Sequence, residues 1–379
     1  MKPLAAWTLV ACLVAANASA QSRGTAPKPT ERGSLRSRFG VDAVRSLLRS
    51  EASADRERAF ERLGTLGTPR ALELLARALD TDGAARDAHE RLTVVRALAV
   101  HAGDPTAADA LIRALGGVEG HDDERALLVE STAALALAAS HDPRALTALA
   151  RALRRPGRVS EHARLALSAN PPADTSVLLQ AGGMATPALA RLLGELGDVR
   201  ALEPVEKLTL DADPAVRAAA AGALFRLAPE RAVTLAERSF TSEPDPNVRG
   251  ELARVLAERS SPFAPRAFAN VLADARSRPS ALALALDVQN AGFGAALART
   301  PPGDDPDRLF AALGHQGGKE ALARLESALA KPTDAWSALY ALASSPDPGA
   351  DDVLARALAR PALRRDAARA ATLRSLLHE

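Results

Sequence analysis

From Val41 onward the apolar residues recur at helical spacing. VDAVRSLLRS, residues 41–50, sets Val41, Val44, Leu47 and Leu48 on one face, the pattern of an amphipathic helix. The period returns in blocks of nine residues: ALELLARAL at 71–79, AADALIRAL at 107–115, ALTALARAL at 145–153 and ADDVLARAL at 350–358. Weaker copies start at Ala201, Ala232, Ala267 and Ala321. The intervals from 145 to 201 and from 267 to 321 are about twice the others, so each is expected to hold a degenerate copy, near Ala173 and Ala295. The ten starts are then separated by 31 residues on average. A further apolar segment precedes most blocks, for example ERAFERLG, LTVVRALAV and WSALYALA, and breakers such as Gly67-Thr68-Pro69 and Gly103-Asp104-Pro105 divide the two. Nothing alternates with the period of two that a strand requires. Self-similarity at this period is the mark of a solenoid. The chain is therefore expected to be all-α, an α-α superhelix of about ten helix pairs over 41–379. Its degenerate copies would lie near 158–183 and 278–300, and its weak points near Pro171-Pro172 and at 301–305.

One element recurs almost verbatim. DPAVR at 213–217 returns as DPNVR at 245–249, 32 residues later. Asp213 and Asp245 suit the N-cap of a helix, and Pro214 and Pro246 suit its first turn. Val216 and Val248 are expected to face the core. Paired helices of about twelve residues, a period near 31 and a D-P-x-V-R opening resemble HEAT repeats of the short bacterial, PBS-lyase type. The resemblance implies that Arg217 and Arg249 tie one repeat to the next, and that the solvent side of each second helix lines a concave surface.

The first forty residues differ from the rest. Lys2, the apolar run Leu4 to Ala16 and Ala18-Ser19-Ala20 read as a secretory signal cleaved before Gln21. A lipoprotein box ending at Cys12 would leave a very short apolar region, so lipidation there is not expected. Residues 21–40 open with QSRGTAPKPTERGS and read as a flexible linker. Cleavage after Ala20 removes the single cysteine, so no disulfide is expected in an exported protein that rests on packing alone. With 48 Lys+Arg against 46 Asp+Glu, the chain lacks the basic excess of a nucleic-acid binder. The apolar run is too short for a comfortable membrane span.

Counting from each starting Ala as position 0, positions +1, +4 and +8 are mostly apolar and share one face, as at Leu72, Leu75 and Leu79. Position +6 points away from them and is basic in six copies: Arg77, Arg113, Arg151, Lys207, Arg238 and Arg356. Such a ladder would attract an acidic peptide, a polyanionic glycan or a phosphate-bearing partner. Position +2 is acidic in four of those copies, at Glu73, Asp109, Glu203 and Asp352, in the favourable i,i+4 order. The face is thus expected to be a solvated, self-neutralised one rather than a binding ladder, with Arg151 and Arg238 alone lacking an acid.

Trp336 and Tyr340 lie one turn apart with Leu339 and Leu342 on the same segment, which points to a core; the other reading is an aromatic anchor for a partner. Arg364, Arg365, Arg369 and Arg374 mark a terminal capping helix, or else a contact to an anionic surface. His101, His141 and His315 sit where turns are expected, and no HExxH or Cys/His cluster occurs. Deoxyhypusine hydroxylase, a HEAT-like enzyme, sets His-Glu pairs on successive repeats. Here only His89-Glu90 and His378-Glu379 occur, in non-equivalent places. No catalytic, metal or cofactor site is expected. The function expected is a non-catalytic protein-interaction scaffold of the bacterial periplasm or cell envelope. The alternatives are a HEAT-like lyase or cofactor-handling protein, and a purely structural envelope spacer.

Overall fold

A computed structural model of the chain describes residues 40–80, 83–116, 124–140, 142–155, 157–180, 184–290, 292–303 and 305–378. The signal segment, nearly all of the linker, His141 and Glu379 lie outside these residues.

Among the described residues there are 22 α-helices and no strand. A lone helix, α1 (Val41–Leu48), comes first. Pairs follow: α2 (Ser53–Leu66) with α3 (Pro69–Ala78), α4 (Ala88–Ala99) with α5 (Pro105–Leu115), and α6 (Glu124–Ala136) with α7 (Pro143–Ala152). Next come α8 (Arg158–Ala169) with α9 (Ser176–Gln180), α10 (Pro187–Leu196) with α11 (Leu202–Leu208), and α12 (Pro214–Leu227) with α13 (Pro229–Ser239). The last four are α14 (Pro246–Glu258) with α15 (Ala264–Ala273), α16 (Arg278–Asp287) with α17 (Phe293–Ala298), α18 (Pro306–Gln316) with α19 (Lys319–Ala328), and α20 (Pro332–Ser344) with α21 (Gly349–Leu358). α22 (Arg364–His378) ends the chain. The architecture is an all-α, HEAT-type solenoid of neighbouring helix pairs. Both degenerate copies exist as pairs with stunted second helices, of 5 residues in α9 and 6 in α17. Prolines explain their length. Pro171-Pro172 delay α9 until Asp174 caps it through the Ser176 N–H at 3.0 Å, and Pro301-Pro302 follow closely on α17.

The helices start where the sequence supplies caps. Asp104, Asp142, Asp213, Asp245 and Asp305 each accept from a backbone N–H of the first turn, with proline at the first helical position.

The chain divides into two compact units, one up to Leu189 and one from Ala190. In the first, α2, α4, α6 and α8 stack as one row and α3, α5, α7 and α9 as the other. In the second, α12, α14, α16, α18, α20 and α22 form the first-helix row, and α15, α17, α19 and α21 stack beside it. Most leucines at positions +1, +4 and +8 are buried; Leu146, Leu202 and Leu358 are only half so. Alanines at positions 0, +5 and +7 are buried as well, at Ala71, Ala76 and Ala78. Small residues let the first helices come close. A methyl added at Gly64 would lie 2.8 Å from the Ala97 side chain in the next first helix.

A face of second helices and a cleft upon it

Asp213 Oδ1 accepts from the Ala215 N–H at 2.8 Å, and Asp245 Oδ1 from those of Asn247 and Val248 at 2.9 and 3.1 Å. Val216 and Val248 are buried. Arg217 folds back to donate to the carbonyls of Asp211 and Ala212, then reaches forward to Glu243, 2.7 Å away in the loop before α14. Arg249 repeats this, donating to the carbonyls of Glu243 and Pro244 and pairing with Asp274 at 2.8 Å before α16. Each arginine thus fastens its own helix to the next repeat.

Arg56 makes the same arrangement without the motif. It donates to the carbonyls of Ser50 and Glu51 and pairs with Glu90 of the next first helix. Around it the chain reads Ala52-Ser53-Ala54-Asp55-Arg56, which shares only the arginine with D-P-x-V-R. The visible hint was position, just before the first repeat block. Burial alone would push the Glu90 carboxyl up. Donors from Arg56, Ser53 and the Arg86 N–H outweigh it and hold the pKa below the ordinary value. Glu243 is held down in the same way by Arg217 and the Asp245 N–H, against its burial. A depressed carboxylate adds stability above its unfolded pKa, about 4.3, and loses it as the pH falls through the folded value. Stability should therefore be flat near neutrality and decline below about pH 4. Glu90→Gln should start lower and show a shallower decline in urea titrations followed by circular dichroism at pH 3 to 7.

All six ladder bases are exposed. Their partners are only partly those of i,i+4 spacing. Arg113 pairs with Asp109 at 2.6 Å and Lys207 with Glu203 at 2.8 Å. Glu73, expected beside Arg77, is bound instead by Arg70 at 2.6 Å. Arg356 turns away from Asp352 to Glu326, one repeat earlier, at 2.8 Å. Arg144 also reaches Asp109, at 2.9 Å. Arg77, Arg151 and Arg238 have no ion-pair partner among the described residues. The self-neutralised reading thus holds for half of the ladder only.

In the second unit three of the six copies lack a base at position +6, at Ala273, Pro301 and Ser327. Position +6 of α15 is Ala273 and position +2 is Ala269, both exposed. These small residues floor a cleft of about 770 Å³. Phe240 and Phe263 wall it, edge to face with centroids 5.9 Å apart. The Arg266 guanidinium lies 5.7 Å from the Phe263 ring centroid. Thr241, Asn270, Glu243, Arg249 and Asp274 complete the lining. No spacing rule joins these residues, because three loops and helices contribute them. The one trace in the sequence was alanine at both 269 and 273, where other copies set charged residues.

Residues 187–257 match the family model of HEAT repeats, and residues 55–81 match that of the PBS lyase HEAT-like repeat. The first segment contains both D-P-x-V-R copies; the second contains Arg56 and α3. Both segments are similar to HEAT repeats. Among curated proteins no significant match is found. Among solved structures, human deoxyhypusine hydroxylase in complex with glycerol aligns at 19% identity over 92% of this chain and 100% of that one, with a TM-score of 0.22. A score that low bears on neither shape nor activity.

Other candidates fall away from the second-helix face. Trp336 and Tyr340 are each 54% exposed on α20, in the first-helix row, which overturns their expected place in the core. The reason is space. Ala335, Ala338, Leu339 and Leu342 already fill the seam of α20, and Gly314 of α18 lies against the Ala341 backbone. Of the terminal arginines, Arg374 is buried and donates to the carbonyls of Leu342, Ser345 and Asp347 while pairing with Asp351. It closes the C-terminal end of α20. His101 Nε2 lies 2.7 Å from the Gly64 carbonyl oxygen, an inter-repeat contact. Among the described residues no group of three or more His, Cys, Asp or Glu could hold a metal ion, and no helix is long and apolar enough to cross a membrane.

Proposed function

We propose that this HEAT-repeat chain is a non-catalytic protein-interaction scaffold acting in the bacterial periplasm or cell envelope. It would hold a protein partner against the solvent face of its second helices. One observation carries the reading: the second helices of the first unit present Arg77 and Arg151 at equivalent repeat positions with no ion-pair partner among the described residues, and Arg238 holds the same position, equally unpaired, within the second unit. Unpaired cations on packed helices favour an acidic partner surface and speed its encounter. Export is supported by Lys2, the apolar run Leu4 to Ala16 and the Ala18-Ser19-Ala20 site, and it predicts a mature N-terminus at Gln21.

The test is affinity capture from the native envelope fraction with the wild-type chain and with Arg77→Glu/Arg151→Glu/Arg238→Glu. Partners retained by the wild type should be lost or much weakened in the triple variant, more so at low salt. A partner set unchanged by three charge reversals would sink the reading. The PBS lyase HEAT-like match at 55–81 keeps a cofactor-handling protein as the second reading. A visible absorption band in protein purified from its native source would favour it.

A further inference from the structure

The cleft on the second-helix face combines three recognition elements. Arg266 is exposed, lies over the Phe263 ring and has no ion-pair partner among the described residues. The two lining carboxylates are already satisfied, Glu243 by Arg217 at 2.7 Å and Asp274 by Arg249 at 2.8 Å. The residual charge of the cleft is therefore that of Arg266. Beside it, Phe240 and Phe263 make an aromatic corner. The Asn270 side chain, with no partner of its own among the described residues, offers a donor and an acceptor together, as a peptide unit requires. The volume, about 770 Å³, lies within the range of specific ligand sites.

We infer that this cleft binds an extended peptide segment of the partner in which an acidic residue stands next to a large apolar one. The apolar side chain enters the corner of Phe240 and Phe263, over the floor left open by Ala269 and Ala273. The carboxylate meets the Arg266 guanidinium, whose planar fork suits it and which lies over the Phe263 ring beside the apolar corner. The inference rests on the scaffold reading and names the chemistry that one part of its face selects.

The probe is a fluorescein-labelled hexapeptide alternating Phe and Glu, with its Phe and Gln counterpart, titrated by anisotropy against the full chain. The acidic peptide should bind saturably. Arg266→Glu should weaken it about tenfold or more, because a charge-assisted bond becomes a repulsion. Ala273→Trp, at an exposed position, should fill the cleft and abolish binding. Arg125→Glu, exposed on α6 in the other unit, should leave it unchanged. The inference is overturned by an absence of saturable binding, by equal binding of the Gln peptide, or by full affinity in Arg266→Glu or Ala273→Trp. Loss of captured partners in the triple ladder variant, with full retention in Ala273→Trp, would leave the scaffold standing and remove the cleft from it.

Discussion

Arg56→Ala is expected to destabilise the first unit by about 3–5 kcal/mol, the cost of breaking a buried ion pair on one side only. Arg56 is 4% exposed and Glu90 is 0% exposed. Removing the guanidinium leaves Glu90 with donors from Ser53 Oγ at 2.7 Å and the Arg86 N–H at 2.8 Å, and no cation in direct contact. It also strips donors from the carbonyls of Ser50 and Glu51, loosening the join between α1 and α2. Urea unfolding and amide hydrogen exchange would locate the loss in α1, α2 and α4. Two comparisons isolate the cause. Arg86→Ala breaks an exposed pair with Glu51 and should cost under about 1 kcal/mol. The double change Arg56→Met/Glu90→Leu should recover much of the loss, since no buried charge then lacks a partner. An Arg56→Ala variant no weaker than Arg86→Ala would show that the pair contributes little.

Gly314 offers the second large effect, and its sign is diagnostic. Alanine in place of glycine within a helix ordinarily raises stability, by up to about 1 kcal/mol. A methyl at 314 would lie 2.8 Å from the carbonyl carbon of Ala341, closer than real contacts allow, and the obstacle is backbone. α18 and α20 would have to separate. Gly314→Ala should therefore destabilise, and Gly314→Val should do so by roughly 1–3 kcal/mol or more. Gly250 on α14 is the control: a methyl there meets only the Ser280 side chain, at 3.7 Å. Gly250→Ala should stabilise by roughly 0.5–1 kcal/mol. Equal effects at both sites, read as thermal midpoints, would mean that close approach of the first helices does not limit the packing.

Much of this was legible in the chain itself. The apolar period marks helices, the breakers mark turns, and the register of the nine-residue blocks locates ten pairs, including the stunted α9 and α17. It also places position +6 in solvent, because a helix turns by the same angle at every residue whatever surrounds it. The sequence does less well with partners. Glu73 lies four residues before Arg77 but is taken by Arg70, at i,i+3. Arg356 chooses Glu326, thirty residues away, over Asp352 at four. Spacing lists which acids a base can reach; the distance between stacked helices decides which it does reach.

The same division covers the site as a whole. The sequence alone determined an α-solenoid, its register and its exposed basic positions, because all three follow from periodicities within single helices and their repetition. Only the tertiary structure decided that Trp336 and Tyr340 stand outside the core, that Arg56 is an inter-repeat tie, and that Phe240, Phe263 and Arg266 meet above Ala269 and Ala273. Each depends on how closely neighbouring repeats approach. That spacing is set jointly by small residues such as Gly64, Ala97, Gly314 and Ala341 on facing helices, and no single segment of sequence carries it.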